Sequence, residues 1–219
     1  MSPSLLSSAS FFSFLSLIDR DIAEIVRAER CGHCHGGPLH AAHYERKARG
    51  LPAGLEGSSE SYRLSWCCGR EGCRRRTTPP SVRFLGRKVY VTVAVVLVTA
   101  MRQGLTPPGE RTVEAELGVD RRTVERWRKY WAERFPPLPG WRAVRGLLPA
   151  DLDATRLPLA LIEHFGARRS NALDERSVAL DVLLLIARVV YGKLEAITLS
   201  AEALLSRRAC PSPSGGHAR

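Results

Sequence analysis

The chain has no apolar stretch long enough to cross a lipid bilayer. Its apolar and β-branched run from Val89 to Ala100 has twelve residues, whereas a membrane-spanning helix needs about 20. Residues 11–18 resemble the core of a secretion signal, but no basic residue precedes them and no A-x-A cleavage site follows them. We therefore expect a cytoplasmic protein.

Acidic residues are scarce, since 22 Asp and Glu stand against 33 Lys and Arg, a net charge of +11. The excess is uneven: residues 1–150 carry a net charge of +10, and residues 151–204 carry −2. Such asymmetry is typical of a chain whose basic part faces a polyanion, here double-stranded DNA of the nucleoid. An Arg-rich composition inherited from a GC-rich genome is the alternative explanation.

Cysteine is also sparse, yet five of the six cysteines lie between positions 31 and 73. A secreted chain would spread an even set for disulfides, whereas grouped cysteines in a reducing compartment favour metal binding. Zinc takes four such ligands in a tetrahedron, two from each of two short knuckles. We therefore predict a structural Zn²⁺ ion as the cofactor of a small module.

The second knuckle offers three cysteines where two are needed. If residues 62–68 form one strand, alternation separates Cys68 from Cys67. The face that contains Cys68 is apolar and consists of Tyr62, Leu64, Trp66 and Cys68. Because an apolar face should turn towards the metal, we select Cys68 with Cys73 and keep Cys67 as the alternative.

The predicted metal ligands are Cys31, Cys34, Cys68 and Cys73. His33 and His35 are alternative donors, although each is more typical of an exposed neighbour. Four residues separate the cysteines of the second knuckle, at the upper end of the usual spacing. The two knuckles are 33 residues apart, which is more than is usual for zinc sites. A set of buried thiols without a metal is the competing interpretation.

A basic strip follows the cysteines. Between Arg63 and Lys88 there are eight Lys and Arg residues and one acid, Glu71. Guanidinium groups suit phosphate oxygens, and adjacent arginines repel one another unless a polyanion is near. We therefore predict phosphate contacts from Arg74, Arg75 and Arg76, with a solvated charged surface as the alternative.

Residues 86–137 have the pattern of a three-helix domain that contains a helix-turn-helix. Residues 87–103 give the first helix, and residues 110–117 and 121–135 give the other two. Pro136, Pro137 and Pro139 are expected to end the last one, because proline cannot continue a helix. Gly118 suits the residue after a helix end, where a left-handed backbone is needed, and Asp120 can cap the last helix. Glu114 stands where such motifs usually have a small residue, and an ordinary helical hairpin is the alternative interpretation.

The last of these helices has the pattern of a recognition helix. Its apolar face consists of Val124, Trp127, Trp131 and Phe135. A recognition helix enters the major groove with its N-terminal residues at base edges, where arginine pairs with guanine. The predicted DNA contacts from this helix are Arg121, Arg122, Thr123, Arg126 and Lys129.

These motifs together resemble a known family. Two segments are similar to the zinc-ribbon head of bacterial insertion-sequence transposases and of their short accessory proteins. They are Cys31-Gly-His-Cys34 and the segment from Trp66-Cys67-Cys68 to Arg74-Arg75-Arg76-Thr77-Thr78-Pro79-Pro80. The segment from Leu117-Gly118-Val119 to Arg126-Trp127 is similar to the helix-turn-helix of such proteins. The likeness covers about residues 31–135 and implies DNA binding.

The resemblance also implies, for the transposases, a catalytic domain with three carboxylates that bind two metal ions. That domain does not fit in residues 136–219, which have a helical pattern and carboxylates typical of helix caps and exposed faces. We therefore expect no catalytic residues and no enzyme. A nuclease or transposase subunit and a protein-interaction adaptor are the competing functions.

The expected fold is mainly α, with a small β zinc-ribbon module, a three-helix helix-turn-helix domain and a helical C-terminal unit. The predicted segments are 1–30, with a loose stretch at 1–13 and an amphipathic helix at 15–29, the zinc module 31–85, the helix-turn-helix domain 86–137, the helical unit 138–206 and a disordered tail 207–219. Helices are expected near 151–165, 174–191 and 193–206. The second is apolar on nearly all sides and must be covered, so residues 151–206 would form a homodimer seam, bind a transposase partner or pack within the chain.

Overall fold

The structure, a computed structural model, describes residues 5, 8–46, 51, 54, 55, 57–85, 92, 94–96, 98, 99, 121–168 and 175–191. Several predictions lie outside these residues. They are the helix at 110–117, the turn at Gly118, the cap at Asp120, the helix at 193–206 and the tail at 207–219. Within the described residues, the prediction of a mainly helical fold with a small β part is confirmed, and the structure shows that this β part consists of two antiparallel sheets.

The N-terminal helix, α1, covers Ala9–Ala28. It begins earlier than the predicted residue 15, because the Ser8 hydroxyl accepts a hydrogen bond from the Phe11 N–H at 3.3 Å and caps the helix. Phe11 and Phe12 are 2% and 0% exposed. The prediction of a loose segment over residues 1–13 is therefore wrong from Ser8 onwards, since these two aromatic rings enter the core.

Five short strands form two antiparallel sheets. They are β1 (Leu39–Ala41), β2 (Tyr44–Glu45), β3 (Tyr62–Arg63), β4 (Trp66–Cys68) and β5 (Arg76–Thr77). The larger sheet has the order β1-β4-β5, and the smaller pairs β2 with β3. In the larger sheet, Leu39 lies opposite Cys68 and Trp66 lies opposite Thr77. This register places Cys67 and Cys68 on β4, the central strand of the larger sheet.

The predicted continuous strand over residues 62–68 is interrupted between β3 and β4. In β3 the orientation is the reverse of the expected one, because Tyr62 is 38% exposed and Arg63 is 1% exposed. The Arg63 guanidinium donates to the Pro79 carbonyl and, at 3.4 Å, to the Tyr191 hydroxyl. These buried acceptors keep the arginine inside, which a rule based on apolar alternation does not anticipate.

The helical part of the chain follows the sheets. Residues 92, 94–96, 98 and 99 are helical. The helices after them are α2 (Arg121–Lys129), a π-helical turn (Tyr130–Arg134), α3 (Pro139–Arg145), α4 (Leu159–Ala167) and α5 (Glu175–Tyr191). A short 3₁₀ turn, Ala154–Arg156, precedes α4. No helix among the described residues combines the length and the apolar character that a membrane crossing requires.

Helix α3 was not predicted. Pro136, Pro137 and Pro139 were expected only to end the preceding helix, but Pro139 lies in the first turn of α3, where its missing N–H has no helical partner to lose. Gly140 lets this helix approach α5 closely, because a Cβ at this position would lie 2.2 Å from the Val189 carbonyl oxygen.

The larger hydrophobic core joins α1 to the helices that follow the sheets. It includes Phe12, Leu15 and Ile18 of α1, Val124, Trp127 and Trp131 of the α2 segment, Trp141 of α3, Leu161 of α4, and Val182, Leu183, Ile186 and Val189 of α5. Eight residues of α5 are thus buried within the chain, whereas Leu180, Leu185 and Val190 are partly buried. A second, smaller cluster joins the end of α1 to the strands and contains Ala23, Val26, Cys31, Leu39, Trp66 and Cys68.

Candidate metal centre and basic surface

Four cysteine sulfurs meet at the end of α1 and the edge of β4. The Sγ atoms of Cys31, Cys34, Cys68 and Cys73 all lie within 4.8 Å of one another. The Cys31–Cys73 and Cys34–Cys68 Sγ distances are 3.8 Å and 3.6 Å, far longer than the S–S bond of about 2.05 Å in a disulfide. The arrangement is a tetrad of thiols that could hold a metal ion.

The first knuckle is shaped by a tight turn. The Cys31 N–H donates to the Gly37 carbonyl and the Gly36 N–H donates to the Cys31 carbonyl, both at 3.0 Å. Gly37 must be a glycine, because a Cβ there would lie 2.5 Å from the Cys68 sulfur and 2.8 Å from the Cys34 sulfur. The backbone therefore passes directly over two of the four sulfurs.

The second knuckle also gives backbone support to its sulfur. The Arg70 N–H donates to the Cys68 Sγ at 3.4 Å, and the Cys68 N–H donates to the Arg75 carbonyl at 3.0 Å. N–H groups that point at sulfur stabilise the thiolate form that a metal requires. The turn ends at Arg74, which has a positive φ of 45°.

Cys34 and Cys68 are electrostatically unequal. Burial raises the pKa of Cys34, but the hydrogen bonds from the Gly37 backbone and the neighbouring thiols outweigh burial and lower this pKa to about 7. Burial dominates at Cys68 and raises its pKa to about 12. Cys34 therefore loses its proton more readily than Cys68, and a bound cation would favour the thiolate form of both.

The alternative ligands Cys67, His33 and His35 do not belong to the tetrad. The thiol of Cys67 donates to the Arg74 carbonyl at 3.4 Å, on the other face of β4 from the buried Cys68. His33 and His35 are exposed. The alternation within Trp66–Cys68 separates the two neighbouring cysteines as the sequence predicted, although the strand is shorter than expected.

The basic strip does not form one continuous surface. Two of its eight cations, Arg63 and Arg83, are each 1% exposed. Arg70 donates to the Cys34 carbonyl at 3.1 Å and so helps to hold the first knuckle. Residues 87 and 88 lie outside the described part of the chain. The basic residues counted in the sequence strip therefore include arginines that are buried or that hold the fold together.

The three consecutive arginines differ in their surroundings. Arg74 and Arg75 are exposed beside the second knuckle. Arg76 is exposed too, but its guanidinium donates to the Ala42 carbonyl at 2.9 Å and to the Ser65 hydroxyl at 3.2 Å, and it lies 5.2 Å from the ring centroid of Tyr44. Arg76 therefore braces β5 against the neighbouring strands, whereas Arg74 and Arg75 present their charge to solvent.

Helix α2 has a basic outer face and an apolar inner face. Arg122, Arg126 and Lys129 are exposed and line an open depression together with Glu125. The predicted apolar face is confirmed, since Val124, Trp127, Trp131 and Phe135 are between 0% and 3% exposed. Arg121 lies in the first turn of the helix. The spacing aligns the three cations along one side of the cylinder.

Thr123 does not share this outer face. It is 1% exposed, and its hydroxyl accepts a hydrogen bond of 2.6 Å from Arg126 Nη2. Its prediction as a direct DNA contact is therefore wrong, because burial removes it from a ligand's reach. Its hydroxyl instead orients Arg126.

Sequence reasoning missed a buried ion pair behind the metal module. Asp19 of α1 accepts from Arg83 Nε at 2.8 Å and from the Ser81 hydroxyl at 2.6 Å. Arg83 also donates to the carbonyls of Glu60 and Tyr62 at 2.7 Å and 3.2 Å. Asp19 lies on the apolar face of α1, four residues after Leu15 and three before Ile22. An acid at such a position is the signal that could have revealed the pair.

No protein-family model, no curated protein sequence and no solved structure matches this chain.

Proposed function

We propose that this protein is a sequence-specific DNA-binding protein in which a structural zinc module supports a recognition helix. The observation that carries the proposal is the pairing of a four-cysteine centre with a helix that is basic outside and apolar inside. The relation to mobile elements rests on the motif resemblance. In that relation the chain acts as an accessory or regulator that reads DNA without cutting it.

Zinc is the metal that the tetrad supports best. Sulfurs bound at about 2.3 Å to a tetrahedral zinc ion lie about 3.8 Å apart, which is close to the Sγ distances of 3.8 Å and 3.6 Å. Four protein thiolates complete the coordination, so this zinc would be structural, with no position for a reacting water. It would fix the end of α1 against the larger sheet.

Helix α2 supports a major-groove role. A recognition helix presents its outer residues to base edges while its inner face packs on the rest of the domain. Arg122 lies in the first turn, and Arg126 and Lys129 follow on the same exposed side. We assign base contacts to Arg121 and Arg122, and base or backbone contacts to Arg126 and Lys129.

Arg74 and Arg75 support a second contact, to phosphate. They lie on a short turn held between the metal centre and β5, so their backbone is fixed while their side chains are exposed. Phosphate contacts position a protein on DNA without reading its sequence. Arg76 would add its charge to this contact while its guanidinium braces the sheet.

The carboxylates of the C-terminal half support a non-enzymatic role. Asp153 accepts from the Thr155 N–H at 2.9 Å and caps a 3₁₀ turn. Glu163 pairs with Arg156 at 2.7 Å on the surface. Both carboxylates thus have local structural partners on the surface of the chain.

Selection from a random double-stranded DNA library with the full chain, purified with zinc, tests the proposal. We expect one enriched sequence motif and an affinity that falls steeply with salt, because phosphate contacts release counterions. Binding without an enriched motif would contradict the proposal that the protein recognises a specific DNA sequence. Absence of salt-dependent binding would remove DNA as the partner and favour a protein-interaction adaptor.

A further inference from the structure

A cavity opens between α1 and the strands of the metal module, and the proposed DNA contacts do not use it. Its volume is about 630 Å³, within the range of roughly 300–1,000 Å³ that is typical of small-molecule sites. Its apolar wall is formed by Ala23, Tyr62, Leu64 and Trp66. Tyr62 is 38% exposed, which places an aromatic ring at the edge of the cavity. We refer to this space as the α1 cavity.

The wall of the α1 cavity is held in place by contacts beneath and beside it. The Trp66 Nε1–H donates to the Ala23 carbonyl at 3.0 Å, and the Arg27 guanidinium lies 5.5 Å from the Trp66 ring centroid. Arg83, which also lines the cavity, is fixed by its buried ion pair with Asp19. A ligand would therefore meet a preformed surface, which lowers the entropy lost on binding.

The charges around the α1 cavity favour an anion. Glu24 is paired with Arg27 at 3.2 Å, and the charge of Arg83 is matched by Asp19. Arg20 lines the cavity and is exposed, and among the described residues no carboxylate lies within ion-pair distance of it. Arg20 is thus the cation at the rim whose charge a ligand can neutralise.

His43 adds a polar group to the same wall. Its Nδ1 is engaged by the Ser65 backbone, with the Ser65 N–H at 3.2 Å and the carbonyl at 3.0 Å, and its ring stands edge-on to Trp66 with centroids 5.2 Å apart. Its Nε2 is therefore the ring nitrogen that remains for a ligand. A polar nitrogen beside an apolar wall would orient a ligand that carries both a polar and an apolar part.

We propose that the α1 cavity binds a small organic acid with a flat apolar body. The body lies against Tyr62, Leu64 and Trp66, and the carboxylate pairs with the Arg20 guanidinium. Such a ligand buries apolar area and forms a charge-assisted hydrogen bond at the rim. This site is independent of DNA binding, so each proposal can fail without the other.

The test uses the full chain, purified with zinc and labelled with ¹⁵N, and 2-naphthoate as the probe. Two-dimensional NMR should show shifts of the Trp66 indole N–H and of the Leu64 and Ser65 amides. A probe of this size is expected to bind with a Kd on the order of 1 mM. The neutral analogue 2-naphthamide has the same body without the charge and should bind more weakly.

Three variants separate the proposal from unspecific attraction. Arg20→Gln should weaken 2-naphthoate about tenfold and leave 2-naphthamide unchanged, whereas Arg142→Gln on the exposed side of α3, with the same change in net charge, should alter neither. Tyr62→Ser should weaken both probes. Three outcomes would overturn the proposal. One is an equal loss of 2-naphthoate affinity in the two arginine variants, and another is equal affinity for the two probes. The third is no shift of the cavity resonances at about 10 mM probe, ten times the expected Kd.

Discussion

The carboxylate of Asp19 and the guanidinium of Arg83 are 2.8 Å apart and each side chain is 1% exposed. Their pairing connects α1 to the chain segment that follows β5, 64 residues later. Asp19 also accepts from the Val82 N–H at 2.7 Å. The carboxylate thus satisfies three donors at once, and removing it would leave a buried cation without its partner.

We expect Asp19→Asn to lower the free energy of unfolding by about 3–5 kcal/mol, because the Arg83 charge would remain buried and uncompensated. Urea denaturation followed by circular dichroism measures the change. Glu163→Gln is the matched control, since it breaks an ion pair whose side chains are 49% and 50% exposed and should cost about 0–1 kcal/mol. Similar losses in both variants would contradict the role given to the buried pair.

Metal analysis of the purified full chain should give about one zinc per chain, because four thiolates fill one tetrahedral site. Cys68→Ser should lose the metal, since it removes a sulfur of the tetrad. Cys67→Ser should keep it, because that thiol faces the Arg74 carbonyl. Full zinc occupancy in Cys68→Ser together with loss in Cys67→Ser would reverse the assignment.

Two arginines should affect DNA binding differently. Arg122→Ala should lower the preference for the selected motif by about 1–3 kcal/mol, the usual value of a base contact. Arg75→Ala should weaken binding to all sequences alike and reduce the salt slope by about one. Fluorescence anisotropy with specific and scrambled duplexes measures both. If the two variants behaved alike, the division into base reading and phosphate contact would be wrong.

Gly140→Ala should destabilise the fold, because the new methyl group would lie 2.2 Å from the Val189 carbonyl oxygen and would force α3 away from α5. We expect a loss of about 1–3 kcal/mol, the usual effect of overpacking. The matched control is Gly146→Ala, where nothing lies within 4 Å of the added Cβ. A thermal melt in which the two variants lose the same stability would contradict the close approach of these helices.

A fragment of residues 1–137 should fail to unfold cooperatively. Its part of the core would lose its contacts with Trp141, Leu161, Val182 and Ile186, and truncation of so much buried apolar surface removes the main driving force for folding. The comparison is calorimetry of the fragment and of the full chain. A sharp, two-state transition in the fragment would show that residues 1–137 fold without the C-terminal helices.

The four cysteines that lie close together could be predicted from the sequence. Cys31 and Cys34 have the spacing of a knuckle, and the local alternation of Trp66, Cys67 and Cys68 decided which neighbour turns inward. The apolar face of α2 was predicted correctly for the same reason, since a period of 3.6 residues reports a buried side directly. Patterns of this kind depend only on neighbours within one element.

Burial of charge could not be predicted in this way. Arg63 and Arg83 look like their exposed neighbours in the sequence, and their acceptors come from residues far along the chain, Asp19 and Tyr191 among them. Helix α3 was missed because Pro139 was interpreted only as a helix terminator, whereas proline is also accepted in a first turn. Tertiary partners decided both outcomes.

The hydrogen bond from Arg63 to Tyr191 joins residues that are 128 positions apart in the sequence. The sulfur contacts join cysteines that are only 42 and 34 positions apart. During synthesis, at roughly 5–20 residues per second, all four cysteines emerge long before α5 exists. The small cluster around Trp66 lies within residues 23–68, so we expect the ion to close this module on the nascent chain while the larger core is incomplete. The supply of metal at the ribosome would then determine how much of the protein reaches its folded state.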